Sequence, residues 1–435
     1  MQKESISKID KMRVLFFSYS LSLIDILLCQ PFHENVRFII YLTIPFFAIY
    51  IIFKLGIKPL ILNVASILIL MTELFNGVLL FINKDVMTFG LAAIIDLVIF
   101  FIGFYAISSD DLFNEINFVT KVLTIVTFII CIISYLIRPI MLAFPELNDL
   151  YVGNHLFTFS GIADSDYRWK GYARHPNSTG IICEVGIISS FILFMYSKNK
   201  KELALSVINM CLNGLFLILV SSRSPLLSTG TFVIAFLLYY GLVGGFKNNK
   251  VIKKRLFFLI GISLLVICLL CVCLIFSPAF RDYLINKIIR VDNIKTATGR
   301  TNLQKTIMTE FWKQKHYFKG LSYNYINEIT NGFGPHNTFI QTIAANGIPS
   351  LILLIISLAV PFVFLIIFIF KRSELTQTEL FIASISFGSF IAMIIQNSFE
   401  CAYVWQMCGN AGFERWLLCF PIIIWYNKHN CINKN

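Results

Sequence analysis

The chain has 435 residues, of which 57% are hydrophobic and 14% charged, and its mean hydropathy is +0.76. Soluble domains carry charge on about a quarter of their residues, so an ordinary soluble fold is excluded. The net charge of +12 would point to nucleic acid in a soluble protein; here lysines anchoring loops beside an anionic leaflet account for it, and nucleic acid is set aside.

A bilayer core about 30 Å thick takes roughly 20 apolar residues per helix. The polar start, Met1 to Lys11, leads into an apolar run without a small-residue cleavage pattern, which reads as a retained helix and not a cleaved signal. Apolar runs place spans near 14–30, 36–53, 60–82, 86–107, 118–137, 177–197, 203–220, 225–243, 256–276, 350–370, 380–398 and 413–427. The expected fold is all-α, a single polytopic membrane domain over 1–435 with about 12 transmembrane helices. Cys131, Cys183, Cys211, Cys268, Cys271, Cys273 and Cys419 lie inside these runs and show no disulfide framework. A bare thiolate site at Cys268, Cys271 and Cys273 would be costly in hydrocarbon, so small apolar filler is the expected role.

Orientation follows from the basic residues of short connections. One side carries Lys3, Lys8, Lys11 and Arg13, then Lys54 and Lys58, then Lys198, Lys200 and Lys201, then Lys247, Lys250, Lys253, Lys254 and Arg255, and finally Lys371 and Arg372. The opposite short loops hold only Arg37, Lys84, Arg223 and Arg415. This asymmetry predicts cytoplasmic termini and two long extracytoplasmic loops, 138–176 and 277–349, where function is expected. In the second loop, Leu303, Ile307, Phe311 and Trp312 recur at helical spacing, with Thr301 and Gln304 placed as a capping box. The turn Gly332-Phe333-Gly334-Pro335 precedes a short helix from His336 to Ile343, closed by Asn346-Gly347, before Pro349 opens the next span. A helix broken at membrane depth needs protein or water over its ends, which suits a ligand-facing element.

Few residues are placed to do chemistry. Arg223 sits in Ser221-Ser222-Arg223-Ser224-Pro225, where Ser224 suits an N-cap and Pro225 a first helical position. Backbone N–H groups and a guanidinium gathered there favour a phosphate; an arginine snorkelling to headgroups is the other reading. Arg300, in Thr298-Gly299-Arg300-Thr301, offers the planar donor fork that matches phosphate oxygens, or it is one loop arginine facing water. His336, at the mouth of the short helix, is a candidate base or a merely polar histidine. Arg174, His175 and Asn337 are candidate substrate-binding residues, the first two equally readable as an interfacial boundary. Asp25, Glu73, Asp96 and Glu184 lie within spans and should face protein or water; scattered singly, without an internal repeat, they read as structural pairs before a proton path. No GxxxxGK[ST] loop or HExxH occurs, so no metal or cofactor is expected and arginine would neutralise a leaving phosphate.

The order Thr298-Gly299-Arg300-Thr301, Gly334-Pro335-His336-Asn337-Thr338-Phe339 and Asn346-Gly347, behind a many-span chain, resembles the bacterial O-antigen ligase and polysaccharide polymerase superfamily of membrane glycosyltransferases. The specific part of this resemblance runs from about Ser221 to Leu365. It implies a twelve-span, GT-C-type glycosyltransferase in the bacterial cytoplasmic (inner) membrane, metal-independent, transferring glycan from undecaprenyl diphosphate at the extracytoplasmic face. Arg223 and Arg300 would hold the diphosphate and His336 would act as base, with Arg174 carried over less directly. The expected activity is polymerisation of lipid-linked repeat units into a surface polysaccharide such as O-antigen, capsule or exopolysaccharide, the acceptor being another lipid-linked glycan. The alternatives are a ligase that hands finished glycan to the lipid A core of lipopolysaccharide, and a flippase for lipid-linked oligosaccharide, which would need alternating access.

Overall fold

A computed structural model describes residues 14–29, 34–55, 64–83, 112–143, 171–173, 176–278, 281, 300–332, 334–399 and 412–432. The regular elements among them are all helical. In chain order they are α1 (Tyr19–Cys29, wound as a π-helix), α2 (Glu34–Leu55), α3 (Val64–Ile82), α4 (Leu112–Ala143), α5 (Pro176–Tyr196), α6 (Lys200–Val220), α7 (Arg223–Leu242), the short α8 (Gly245–Asn248) and α9 (Lys250–Phe276). There follow α10 (Arg300–Gln314), α11 (Tyr323–Ile329), α12 (Thr338–Phe370), α13 (Gln377–Phe399), α14 (Gly412–Leu417) and α15 (Phe420–Ile432). Among the described residues six helices are long and apolar enough to cross a membrane, namely α4, α5, α6, α7, α12 and α13, as a multi-pass membrane protein requires. The run expected at 86–107 lies outside the described residues.

Helix direction alternates through the bundle. Near one end, Ser228 Oγ of α7 donates to the Ala392 carbonyl of α13 at 2.9 Å; near the other, Phe236 meets Phe381 edge-on at 5.7 Å. These two helices therefore run antiparallel. Helix α5 lies alongside both, with Phe191 against Phe232 and Phe236 at 5.9 and 5.1 Å. Small and polar residues let the neighbouring helices approach, as expected where lipid supplies no hydrophobic drive between them. Asn209 of α6 donates to Thr127 Oγ1 of α4 at 3.0 Å and to Ser190 Oγ of α5 at 2.9 Å, tying three helices at one buried side chain.

The basic residues of the short connections gather at one end of this bundle. Arg255 binds the carbonyls of Phe194 and Ser197 at the end of α5, at 2.9 and 2.6 Å. Arg372 binds the Leu242 carbonyl at the end of α7 at 3.1 Å, and Lys121 pairs with Glu202 at 2.6 Å where α4 and α6 begin.

Several sequence expectations need correction. The span expected at 413–427 is two helices, α14 and α15, joined by tight bonds from Leu418 N to Arg415 O and from Cys419 N to Trp416 O, both 3.1 Å. Pro421 explains the break, since it has no N–H to return to the Leu417 carbonyl. Arg415, expected in an outer loop, is buried at 2% exposure within α14. Cys268, Cys271 and Cys273 are exposed along the apolar α9, whereas Cys131, Cys183 and Cys419 are buried.

Candidate functional site

The segment between α9 and the long part of α12 builds a small core of its own. Ile307 and Phe311 on one face of α10 are fully buried against Tyr323 and Ile326 of α11 and Ala344 and Ala345 of α12. Trp312, expected on that apolar face, is 51% exposed. Helix α12 is two helices meeting at Gly347, whose φ of 85° and ψ of 175° break the helical path. The backbone groups left open there are taken up by a passing segment of chain: the Ala344 carbonyl accepts from Leu321 N at 2.7 Å, and the Ile348 amide donates to Tyr317 O at 2.7 Å. Across the kink, Asn346 Nδ2 reaches Asn76 Oδ1 of α3 at 3.3 Å, and Ser350 also bonds Asn76. The break expected at Asn346-Gly347 is present, with its backbone groups satisfied by protein as membrane depth demands.

The mouth of α12 holds the residues of interest. Asn337 is the N-cap, its Oδ1 accepting from Ile340 N at 3.0 Å, while its Nδ2 donates to the Ser398 carbonyl at 3.1 Å. Thr338 Oγ1 donates to Asn397 Oδ1 at 2.8 Å. His336, half-buried, has a φ of 50°, a left-handed conformation that costs an L-residue about 1–2 kcal/mol. Gln304 of α10 does not close a capping box; its Nε2 instead donates to the Pro335 carbonyl at 2.9 Å and pins the turn before His336. At the head of α10, Arg300 Nη1 donates to the Phe399 carbonyl at 2.8 Å. The last turn of a helix leaves carbonyls without intrahelical partners, and in α13 Asn337 and Arg300 take two of them in succession, at Ser398 and Phe399. That shared anchor brings Arg300 and the His336 turn to one place.

Arg223 opens α7, two residues earlier than expected: Ser222 holds the cap position and Pro225 lies within the first turn, where a missing N–H costs nothing. Ser222 Oγ turns away from the helix to Asn177 Oδ1 of α5 at 3.2 Å, and Ser221, at a φ of 53°, ends α6. Because α7 starts where α13 ends, Arg223 is at the same end of the bundle as Arg300 and His336, opposite Arg255 and the other basic residues of the short connections. Arg174 and His175 lie outside the described residues. Near the same end, Tyr172 N binds Ser134 Oγ at 3.0 Å; burial pushes the Tyr172 phenol up to about 12, keeping it a donor to the Leu27 carbonyl. Compared with known protein families and with curated proteins, the chain matches none.

Two features of the site were not read from sequence. One is the polar run Gln396-Asn397-Ser398 closing an otherwise apolar helix, a signal present in the chain but unused. The other is the interior polar cluster beneath the site, where Gln396 Nε2 donates to Glu184 Oε2 at 3.0 Å. Glu414 neighbours Glu184, and Arg415 acts on both Glu73 and Glu414, so the acids at 73 and 184 have the protein neighbours expected of them. The Asp25 side chain and all of Asp96 lie outside the described residues. Among the described residues no three metal-ligating side chains gather.

Proposed function

We propose that this chain is a membrane glycosyltransferase of about 12 spans that polymerises undecaprenyl-diphosphate-linked repeat units into a surface polysaccharide. The observation that carries the reading is the shared anchor on α13: Arg300 and the His336–Asn337 turn hold adjacent carbonyls, at Phe399 and Ser398. A guanidinium and the turn that carries an imidazole are thereby brought to one end of a membrane bundle, as transfer from a lipid-borne diphosphate needs. The opposite end carries the basic residues of the short connections, which supports an extracytoplasmic site with both termini in the cytoplasm.

In this reading an acceptor hydroxyl attacks the anomeric carbon of the donor glycan, and His336 accepts its proton as the new glycosidic bond forms. The bond to the diphosphate oxygen breaks, and Arg300 with Arg223 stabilises the charge building on the departing diphosphate. One direct displacement inverts the anomeric centre. The strained backbone at His336 fits a residue held for its side chain, because such strain persists where the surroundings over-determine it.

The test is to incubate purified protein with lipid-linked repeat units and no nucleotide sugar. Lengthened glycan of inverted linkage, lost in Arg300→Ala, supports the proposal. Transport across liposomes without lengthening would replace it with a flippase, and transfer only to a lipid A core with a ligase.

A further inference from the structure

At the end of the bundle opposite the candidate site, a cleft of about 420 Å³ opens between α9 and the end of α5, lined by Phe194, Lys250, Val251, Lys254, Arg255 and Phe258. Its floor is apolar: the rings of Phe194 and Phe258 stack at 6.1 Å. Its rim is cationic, and the three cations differ in what they do. Arg255 is committed to the carbonyls of Phe194 and Ser197 at 2.9 and 2.6 Å and lies 5.9 Å from the Phe194 ring, so it fastens α9 to the end of α5. Lys250 and Lys254, one helical turn apart, have no ion-pair partner among the described residues, and the first turn of α9 contains no acid. From this rim the helix continues into the membrane with Phe257, Phe258, Leu264 and Leu265 exposed.

We propose that this cleft binds one anionic phospholipid of the surrounding leaflet, its phosphate between Lys250 and Lys254 and its acyl chains over Phe258 and down the exposed face of α9. Charge and polarity select that occupant. Two ammonium groups with no counter-charge among the described residues sit beside an aromatic floor, so one molecule with an anionic head and apolar tails satisfies both. A soluble anion would leave the rings wet, and a zwitterionic lipid would bring its own cation to the lysines. A binding lipid would also fill the gap that α9 leaves beside α5 and hold α9 in place.

Thermal unfolding of the purified full chain, titrated with phosphatidylglycerol or phosphatidylcholine, tests the proposal, and native mass spectrometry counts the lipid retained. Phosphatidylglycerol should raise the melting temperature saturably, with one molecule retained, and phosphatidylcholine should not. Each lysine near a lipid surface contributes about fivefold, so Lys250→Gln/Lys254→Gln should weaken the apparent affinity on the order of twenty-five-fold. Lys250→Arg/Lys254→Arg should keep it, and Lys198→Gln/Lys201→Gln, which removes cations from the same end but outside the cleft, should leave it unchanged. Equal response to both lipids, an equal loss in the Lys198/Lys201 pair, or a full shift with inorganic phosphate alone would each overturn the proposal. Should the glutamine pair fail to fold, the arginine pair still decides: loss of the phosphatidylglycerol preference there would overturn it.

Discussion

Replacing Gly347 by alanine adds one methyl group at the point where the short and long parts of α12 meet. At a φ of 85° and ψ of 175° the backbone occupies a region essentially closed to L-residues, worth about 1–3 kcal/mol. The new Cβ would overlap the Phe318 carbonyl and stand 2.7 Å from the Tyr317 carbonyl oxygen. That second carbonyl accepts from Ile348 N at 2.7 Å, so moving it aside leaves a half-buried amide without its partner, a further ~1–3 kcal/mol. The total is on the order of 4 kcal/mol. Gly332→Ala is the control: its φ is 82°, but nothing lies within 4 Å of the added Cβ, so the cost is ~1 kcal/mol. Both variants are purified in detergent, and melting temperature and transfer activity are measured side by side. Gly347→Ala should lose several times more stability than Gly332→Ala and lose activity with it. Equal melting temperatures for the two would refute the claim that close backbone approach, rather than positive φ alone, demands glycine at 347.

Three further outcomes are expected. His336→Gly relieves the left-handed strain while removing the imidazole, so the melting temperature should hold or rise by the equivalent of ~1 kcal/mol while lengthening of lipid-linked glycan falls by about a hundredfold or more; retained activity would remove His336 from the chemistry. Arg300→Lys keeps the charge but not the fork, and its transfer rate should drop roughly a hundredfold, while EDTA leaves the parent rate unaltered. Asn337→Ala should cost ~1–2 kcal/mol of stability through the lost cap, and Asn337→Asp should recover most of it because the Oδ1 acceptor to Ile340 N survives; a variant aspartate as unstable as the alanine would show that the bond to Ser398 matters more than the cap.

The sequence was informative about elements and poor about their partners. Long apolar runs located α4 to α7, α12 and α13 because a helix must satisfy its own backbone in lipid. The kink at Asn346-Gly347 and the buried pair Ile307 and Phe311 were equally visible, since glycine and helical spacing have local causes. Which apolar residues face protein was not visible: Phe232 is fully buried and Phe257 is 62% exposed, and in a bilayer both environments select phenylalanine. Gln304 satisfied a capping pattern yet bonds Pro335, because a long amide can reach a tertiary partner that no local rule contains. The anchoring of Arg300 and Asn337 on α13 joins positions 99 and 61 residues apart, a distance no motif spans.

The placement of α5 has a mechanical consequence. From Glu184 to Met195 it meets protein on nearly every side, with Ile187 alone half-buried, so it stands as a pillar that cannot tilt without disturbing α4, α6, α7 and α13 together. A long-tailed molecule arriving sideways from the bilayer therefore meets a rigid centre, and whatever yields to admit it belongs to the outer ring, where α9 and α12 turn isoleucines, leucines and phenylalanines to the lipid.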